Sequence, residues 1–168
     1  MPANQALYRI LSQHYLDLPH SRAIGLRYEG IRGRRPVLSF DWQPHLVGRH
    51  DTQTIHGGTI TTLVDMVSAC AVTAQLPTAE ILATLDMRID YMHPATPGRR
   101  IYGRAECYRL AGQVAFVRSS CYQEDPADVQ RMNDFIEARV REQPEQYFWL
   151  HKRFKTRPDG SHDFYAKP

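Results

Sequence analysis

Cysteine is scarce in this sequence, with three residues in 168: Cys70, Cys107 and Cys121. They are odd in number and far apart, which excludes a disulfide framework and a zinc-ligand pattern. Small core residues in a reducing cytoplasm are the simpler expectation. Long apolar runs are missing too. None approaches the ~20 residues that a membrane span requires. Residues 1–18 lack a basic start followed by an apolar block, so no secretory signal is expected. The net charge is only +3, too small to argue for a nucleic-acid partner. Internal repeats and low-complexity tracts are absent. The eight histidines form no helical ligand spacing. His45 and His50, with Asp51 beside them, fall in a Pro/Gly-containing loop, where a solvated loop is preferred to a metal site. No metal and no cofactor is expected.

What is present suits one domain with an appendage. The hydrophobic fraction of 42% is enough for a packed core. Residues Asn4 to Leu16 carry Leu7, Ile10, Leu11 and Tyr15 at helical spacing, and Pro19 closes that element. Two strand-like runs follow, Ala23 to Ile31 and Arg35 to Trp42, their β signal interrupted by arginines. After a loop from Gln43 to Ile55, Gly57-Gly58 opens a segment ending near Pro77. Its Ile60, Leu63, Val64, Val67 and Ala71 repeat with helical period, and its remaining positions are small or uncharged. Such a helix is expected to be buried nearly all round. Three strand-like runs come next. In Leu82 to Tyr91, apolar Leu85, Met87, Ile89 and Tyr91 alternate with Thr84, Asp86, Arg88 and Asp90. Arg100 to Leu110 and Gln113 to Tyr122 are joined as a hairpin at Ala111-Gly112. Runs of strands around one buried helix indicate an α+β fold with a mostly antiparallel sheet.

The chemistry concentrates in His56 to Asp65. Asp65 is the one charged residue between Gly57 and Ala79. Two glycines at a helix start let backbone approach a ligand closely. The free N–H groups of the first turn, at the positive end of the helix dipole, favour a developing oxyanion. Asp65 lies ~10 Å along the same helix, at 1.5 Å per residue, too far to serve the same carbonyl. Two copies with antiparallel helices would bring Asp65 of one chain to Gly58 of the other. The spacing therefore asks for a dimer. On residue types alone a second account stands beside this one: a tight Gly-Gly turn and a structural carboxylate held by a Thr or Arg. The cost of an unpaired buried carboxylate tips the balance toward function.

The stretch His56-Gly57-Gly58 through Asp65, followed by Ser68, Ala69 and Ala71, resembles the signature of phenylacetyl-CoA-type thioesterases of the hotdog superfamily. Thr84-Leu85-Asp86-Met87-Arg88-Ile89-Asp90-Tyr91-Met92-His93-Pro94-Ala95 resembles that family's third strand and exit turn. The resemblance spans roughly residues 7–122. It implies a sheet wrapped around a central helix, a catalytic homodimer or tetramer, and hydrolysis of acyl-CoA to free acid and CoA. By position, Asp65 would be nucleophile or general base. Gly58, through its backbone N–H, would polarise the thioester carbonyl, and His56 would shape the turn. Gly57, Thr73 and Thr84 are the substrate-binding candidates, with no choice made between the two threonines as the residue that positions water. Many members carry an Asn shortly before His-Gly-Gly, where this chain has Arg49, His50 and Asp51.

A hotdog domain normally ends with one more strand than this sequence offers. The expected organisation is a hotdog domain over residues 1–123, lacking its last strand, and a helical tail over residues 124–168. Met132, Ile136 and Val140 give the tail an amphipathic helical pattern. The run from Pro144 to Pro158 resembles the C-terminal end of lipid A lauroyl/myristoyl acyltransferases. Those enzymes need a His followed five residues later by an acid, and no histidine here has that spacing. The tail is therefore expected to carry no acyltransferase chemistry and is interpreted as a fusion joined near residues 124–128. Two alternatives to the thioesterase remain. One is a hotdog protein that binds acyl chains or CoA without hydrolysis. The other is an accessory of lipid A acylation, brought to the membrane by Phe148, Trp149, Lys152, Arg153 and Lys155. A packed helix end with a basic solvated edge explains that cluster as well and is preferred.

Overall fold

A computed structural model describes residues 2–123; expectations about residues 124–168 lie outside the described residues. The chain opens with α1 (Gln5–Asp17). Asn4 caps it, its side-chain oxygen accepting the Leu7 N–H at 3.0 Å, which satisfies one of the donors a helix start leaves unpaired. The buried stripe of α1 is set by Tyr8 and Ser12, with Tyr15 and Leu16 packed beside them. Ile10, assigned to the apolar face from spacing, is 67% exposed. Ser12 tolerates burial because its hydroxyl donates to the Tyr8 carbonyl at 2.7 Å. Pro19 ends α1 and also starts a short α2 (Pro19–Ile24), where its missing N–H costs nothing. Gly25, in the left-handed conformation at φ 76°, terminates α2.

A four-stranded antiparallel sheet follows, in the order β1 (Arg27–Arg32), β2 (Arg35–Phe40), β5 (Ile101–Ala111), β6 (Val114–Tyr122). The arginines that weaken the β signal lie on the outer face and find acids there. Arg100 and Arg27 reach Asp41 at 2.7 and 2.6 Å, and Arg35 reaches Glu106 at 2.9 Å. The Arg100 guanidinium holds the Asp41 carboxyl below the usual range. The inner face shows the period of two expected of a half-buried strand: Ile101, Gly103, Ala105 and Cys107 of β5 are buried. Between β2 and residue 57 lies a segment whose sequence predicts a plain loop. It holds a turn of 3₁₀ helix at Pro44–Leu46 and a two-stranded ladder of β3 (Val47–Arg49) with β4 (Thr54–Ile55).

α3 (Gly57–Thr73) lies across the inner face of the sheet. Leu63, Val67, Cys70 and Ala71 are buried against Leu38, Phe40 and Ile101. At Gly103 a Cβ would stand 2.8 Å from Leu63 Cγ; with Leu63 in place only a glycine admits the helix at this distance. Burial nearly all round is not what a single chain provides. Ile60, Val64, Asp65, Met66 and Ala69 are half-buried, because the sheet covers one side of α3. Cys70 and Cys107 are buried and Cys121 is half-buried. Burial pushes the Cys70 and Cys121 thiols up to about 12.

The one expected strand that does not form is Leu82–Tyr91. Among the described residues it joins no ladder. Ile81, Leu85 and Tyr91 are 101%, 81% and 55% exposed. Alternation records that one side of a segment is meant to be covered; pairing requires a neighbouring edge with free N–H and C=O groups. Among the described residues, β6 carries no strand on its outer side. Residues 82–91 instead form an extended strap tied to α3 by side chains.

Candidate active site

The start of α3 is built around one imidazole. His56 is the N-cap residue, with extended backbone, and its Nδ1 accepts the Gly58 N–H at 3.0 Å. Nδ1 is therefore the unprotonated nitrogen of the ring. The His56 N–H donates to the Leu46 carbonyl at 2.9 Å, which fastens the turn to the 3₁₀ segment. Gly48 of β3 lies against the same residue. A Cβ there would be 2.8 Å from His56 Cα and 2.9 Å from its Cβ. A lone glycine in a loop, such as Gly48, carries no sequence signal of what approaches it.

The Gly57 carbonyl is held from two sides. Thr61 Oγ1 donates to it at 3.2 Å from the next turn, and Tyr91 Oη donates to it at 3.0 Å from the strap. The two hydroxyls also lie 3.0 Å apart. One residue further, Thr62 Oγ1 donates to the Gly58 carbonyl at 3.1 Å and lies 3.0 Å from His20 Nε2. Threonines at these positions thus turn inward onto the helix backbone. The alternation in residues 82–91 marks Tyr91 as a strand residue and carries no signal that its hydroxyl reaches a helix terminus.

Asp65 is half-buried on α3, and Thr84 Oγ1 of the strap donates to its Oδ1 at 2.6 Å. That short bond is of the charge-assisted kind. It uses one of about four lone-pair positions on the carboxylate, leaving capacity for a water. The two candidate threonines stand in different places. Thr84 reaches the carboxylate. Thr73, at the far end of α3, is 1% exposed and lies 3.4 Å from Tyr15 Oη, so it is not brought to the His56–Asp65 region. Within one chain Asp65 stays ~10 Å along the helix from Gly58, by the rise of 1.5 Å per residue. Among the described residues no group of three His, Cys, Asp or Glu side chains converges in a way that would hold a metal. His45 Nε2 lies 3.2 Å from the Ala23 carbonyl.

Comparison with known proteins bears on the family. A family model described as "Thioesterase superfamily" matches residues 52–130, a range that includes the α3 start, Asp65 and the strap. The medium/long-chain acyl-CoA thioesterase YigI of Salmonella typhimurium is 28% identical over 138 residues, covering 74% of this chain and 88% of that one. A protein of known structure from Pseudomonas aeruginosa is 39% identical with a TM-score of 0.61, covering 74% of this chain and 90% of that one. A variant of the phenylacetic acid degradation protein PaaI from Thermus thermophilus is 25% identical with a TM-score of 0.54, over 63% of this chain and 87% of that one. Separately, 34 residues are 53% identical to the lipid A biosynthesis palmitoleoyltransferase of Escherichia coli. They make up 20% of this chain and 11% of that enzyme.

Proposed function

The chain belongs to the thioesterase superfamily and is a thioester hydrolase of hotdog fold, and from that premise we propose that it cleaves medium- to long-chain acyl-CoA thioesters with Asp65 as the catalytic carboxylate. The acyl class is carried over from the YigI relatives, which cover most of this chain. The observation that carries the role of Asp65 is its bond with Thr84. The one charged side chain of α3 is held by a hydroxyl on the exposed strap and keeps acceptor capacity free. A carboxylate so held suits general-base activation of water, with Thr84 fixing its orientation. Direct attack on the thioester carbonyl is the other way it could act. The charge that develops on the carbonyl oxygen is met by the Gly58 N–H at the positive end of a 17-residue helix.

Two consequences follow from the geometry. The Gly58 N–H is already engaged with His56 Nδ1, so the thioester oxygen shares or displaces that bond. Displacement costs about 1 kcal/mol, the net worth of one ordinary hydrogen bond, small beside what an oxyanion donor returns in the transition state. His56 is in this account a placeholder that keeps the turn formed until substrate arrives. Second, Asp65 and Gly58 of one helix cannot act on one carbonyl, so the working site takes Asp65 from one copy and Gly58 from another. The test is hydrolysis of an acyl-CoA series of increasing chain length by wild-type protein and by Asp65→Asn. Expected is turnover by the first, rising in the medium-to-long range, and loss of nearly all of it in the second. Wild-type turnover by a folded Asp65→Asn protein would refute the assignment.

A further inference from the structure

The Gly57 carbonyl and the Gly58 N–H are the two ends of one peptide unit. That unit is gripped at every polar atom it has. Tyr91 Oη and Thr61 Oγ1 donate to its oxygen, at 3.0 and 3.2 Å, and His56 Nδ1 accepts its hydrogen at 3.0 Å. Gly57 is also shaped for the tyrosine: a Cβ at that position would lie 3.2 Å from Tyr91 Oη and 3.3 Å from the ring carbon that bears it. A side chain at residue 57 would crowd the hydroxyl by a few tenths of an ångström.

We propose that Tyr91 is a positioning residue of the thioester site, setting and polarising the Gly57–Gly58 peptide whose N–H receives the thioester oxygen. The proposal rests on the role given to Gly58 above. Two physical effects act through the planar, conjugated peptide. A donor on the carbonyl oxygen draws electron density toward it, which leaves the N–H at the other end a stronger donor, as in any cooperative chain of hydrogen bonds. The same donor fixes the plane of the peptide, so the N–H direction is settled before substrate binds, which is what a preorganised oxyanion site requires. Tyr91 gives this from outside the helix, on the strap that also brings Thr84 to Asp65. The strap thereby sets a hydroxyl on each of the two groups that the reaction uses. A merely structural role for Tyr91 would consist of fastening the strap. It would show in stability and strap mobility, and would leave the donor strength of the Gly58 amide alone.

The experiment compares full-length wild type, Tyr91→Phe, Thr61→Val and Asp65→Asn, with decanoyl-CoA hydrolysis and backbone amide NMR as readouts. Tyr91→Phe keeps the ring and removes the hydroxyl. Expected is a fall in kcat of about tenfold with KM changed by less than about twofold, since the lost interaction serves the transition state and not ground-state binding. The Gly58 amide proton is expected to move upfield and exchange faster, while the amides of Leu63 and Ala105 in the core stay in place. Thr61→Val reaches the same carbonyl from within the helix and is expected to shift the Gly58 amide in the same direction. It carries the test if Tyr91→Phe does not fold. A Gly58 amide that holds its wild-type position in the folded variant overturns the proposal, whatever happens to the rate. So does a Tyr91→Phe protein with wild-type kcat, or one that changes only KM. Asp65→Asn separates the two levels. If it retains activity, the account of the catalytic carboxylate fails; if it is inactive while Tyr91→Phe is unaltered, only the positioning role fails.

Discussion

Replacing Gly48 by alanine places one methyl group against the hinge of the site, and its effect can be worked from distances. The added Cβ would stand 2.8 Å from His56 Cα, 2.9 Å from His56 Cβ and 3.1 Å from Cδ2. Carbon atoms pack at ~3.5–4.0 Å, so roughly 0.7–1.2 Å must be found. Gly48 is not among the glycines with positive φ, so the backbone suits alanine and the clash is the whole effect. Either the β3–β4 ladder moves outward or the His56 turn moves inward. The ladder is anchored by buried residues, Leu46 before it and Ile55 within it. The N-cap residue of α3 is therefore the part that shifts. Overpacking of this kind costs ~1–3 kcal/mol of stability. A displacement of about 1 Å at reacting groups costs on the order of a hundredfold in rate. Urea unfolding and acyl-CoA hydrolysis measured on one preparation should show Gly48→Ala folded, slightly destabilised and strongly impaired in kcat/KM. Wild-type kcat/KM together with wild-type stability would refute the argument that Gly48 holds the site by steric contact.

Active-site sharing can be checked by mixing. Asp65→Asn and Gly58→Pro, each inactive alone, should together recover about a quarter of wild-type activity, because half the randomly formed pairs hold one intact site of two. Proline is tolerated in the first helical turn and removes the N–H. No recovery after subunit exchange, or full activity from a species that light scattering shows to be monomeric, would count against the shared site. The thiols give a pH test. With Cys70 and Cys121 pushed up to about 12 by burial, roughly one in ten thousand is thiolate at pH 8. Folded protein should leave both unmodified by a disulfide reagent at pH 8 and release them on urea unfolding; rapid modification of the folded state would contradict their placement. Asn4→Ala should cost ~0.5–2 kcal/mol through loss of the α1 cap, read from the urea midpoint; an unchanged midpoint would show that the cap contributes nothing.

The central helix and its lone acid were legible in the sequence for physical reasons. Gly57-Gly58 marks a helix start, and a carboxylate in an uncharged segment stands out against the cost of burying charge. The hairpin of β5 and β6 was legible from its turn, where Gly112 takes φ 57°. Three features were not. The buried side of α1 came out at Tyr8 and Ser12 because apolar residues fall around much of that helix, so spacing alone does not choose a face. The strap was expected as a strand because alternation reports coverage and is silent on which edge supplies it. Tyr91 and Gly48 gained their roles only from approach in three dimensions, the first by reaching Gly57 across 34 positions of sequence, the second by leaving room for His56. The tail from residue 124 onward is outside the described residues, and the short identity with a lipid A acyltransferase is the basis for proposing that it was joined to a hotdog domain.

The contact of Gly103 with Leu63 bears on how this chain could change over evolutionary time. Leu63 is fully buried and sits two residues before Asp65, so the volume available at position 103 fixes where along the sheet the helix can rest. A larger residue on β5 would leave the helix in place only with a smaller one on α3, and either change alone would carry the carboxylate with it. Relatives that keep the reaction should therefore trade volume between these two positions as a pair, and lineages that changed one alone should be found among those that no longer hydrolyse thioesters.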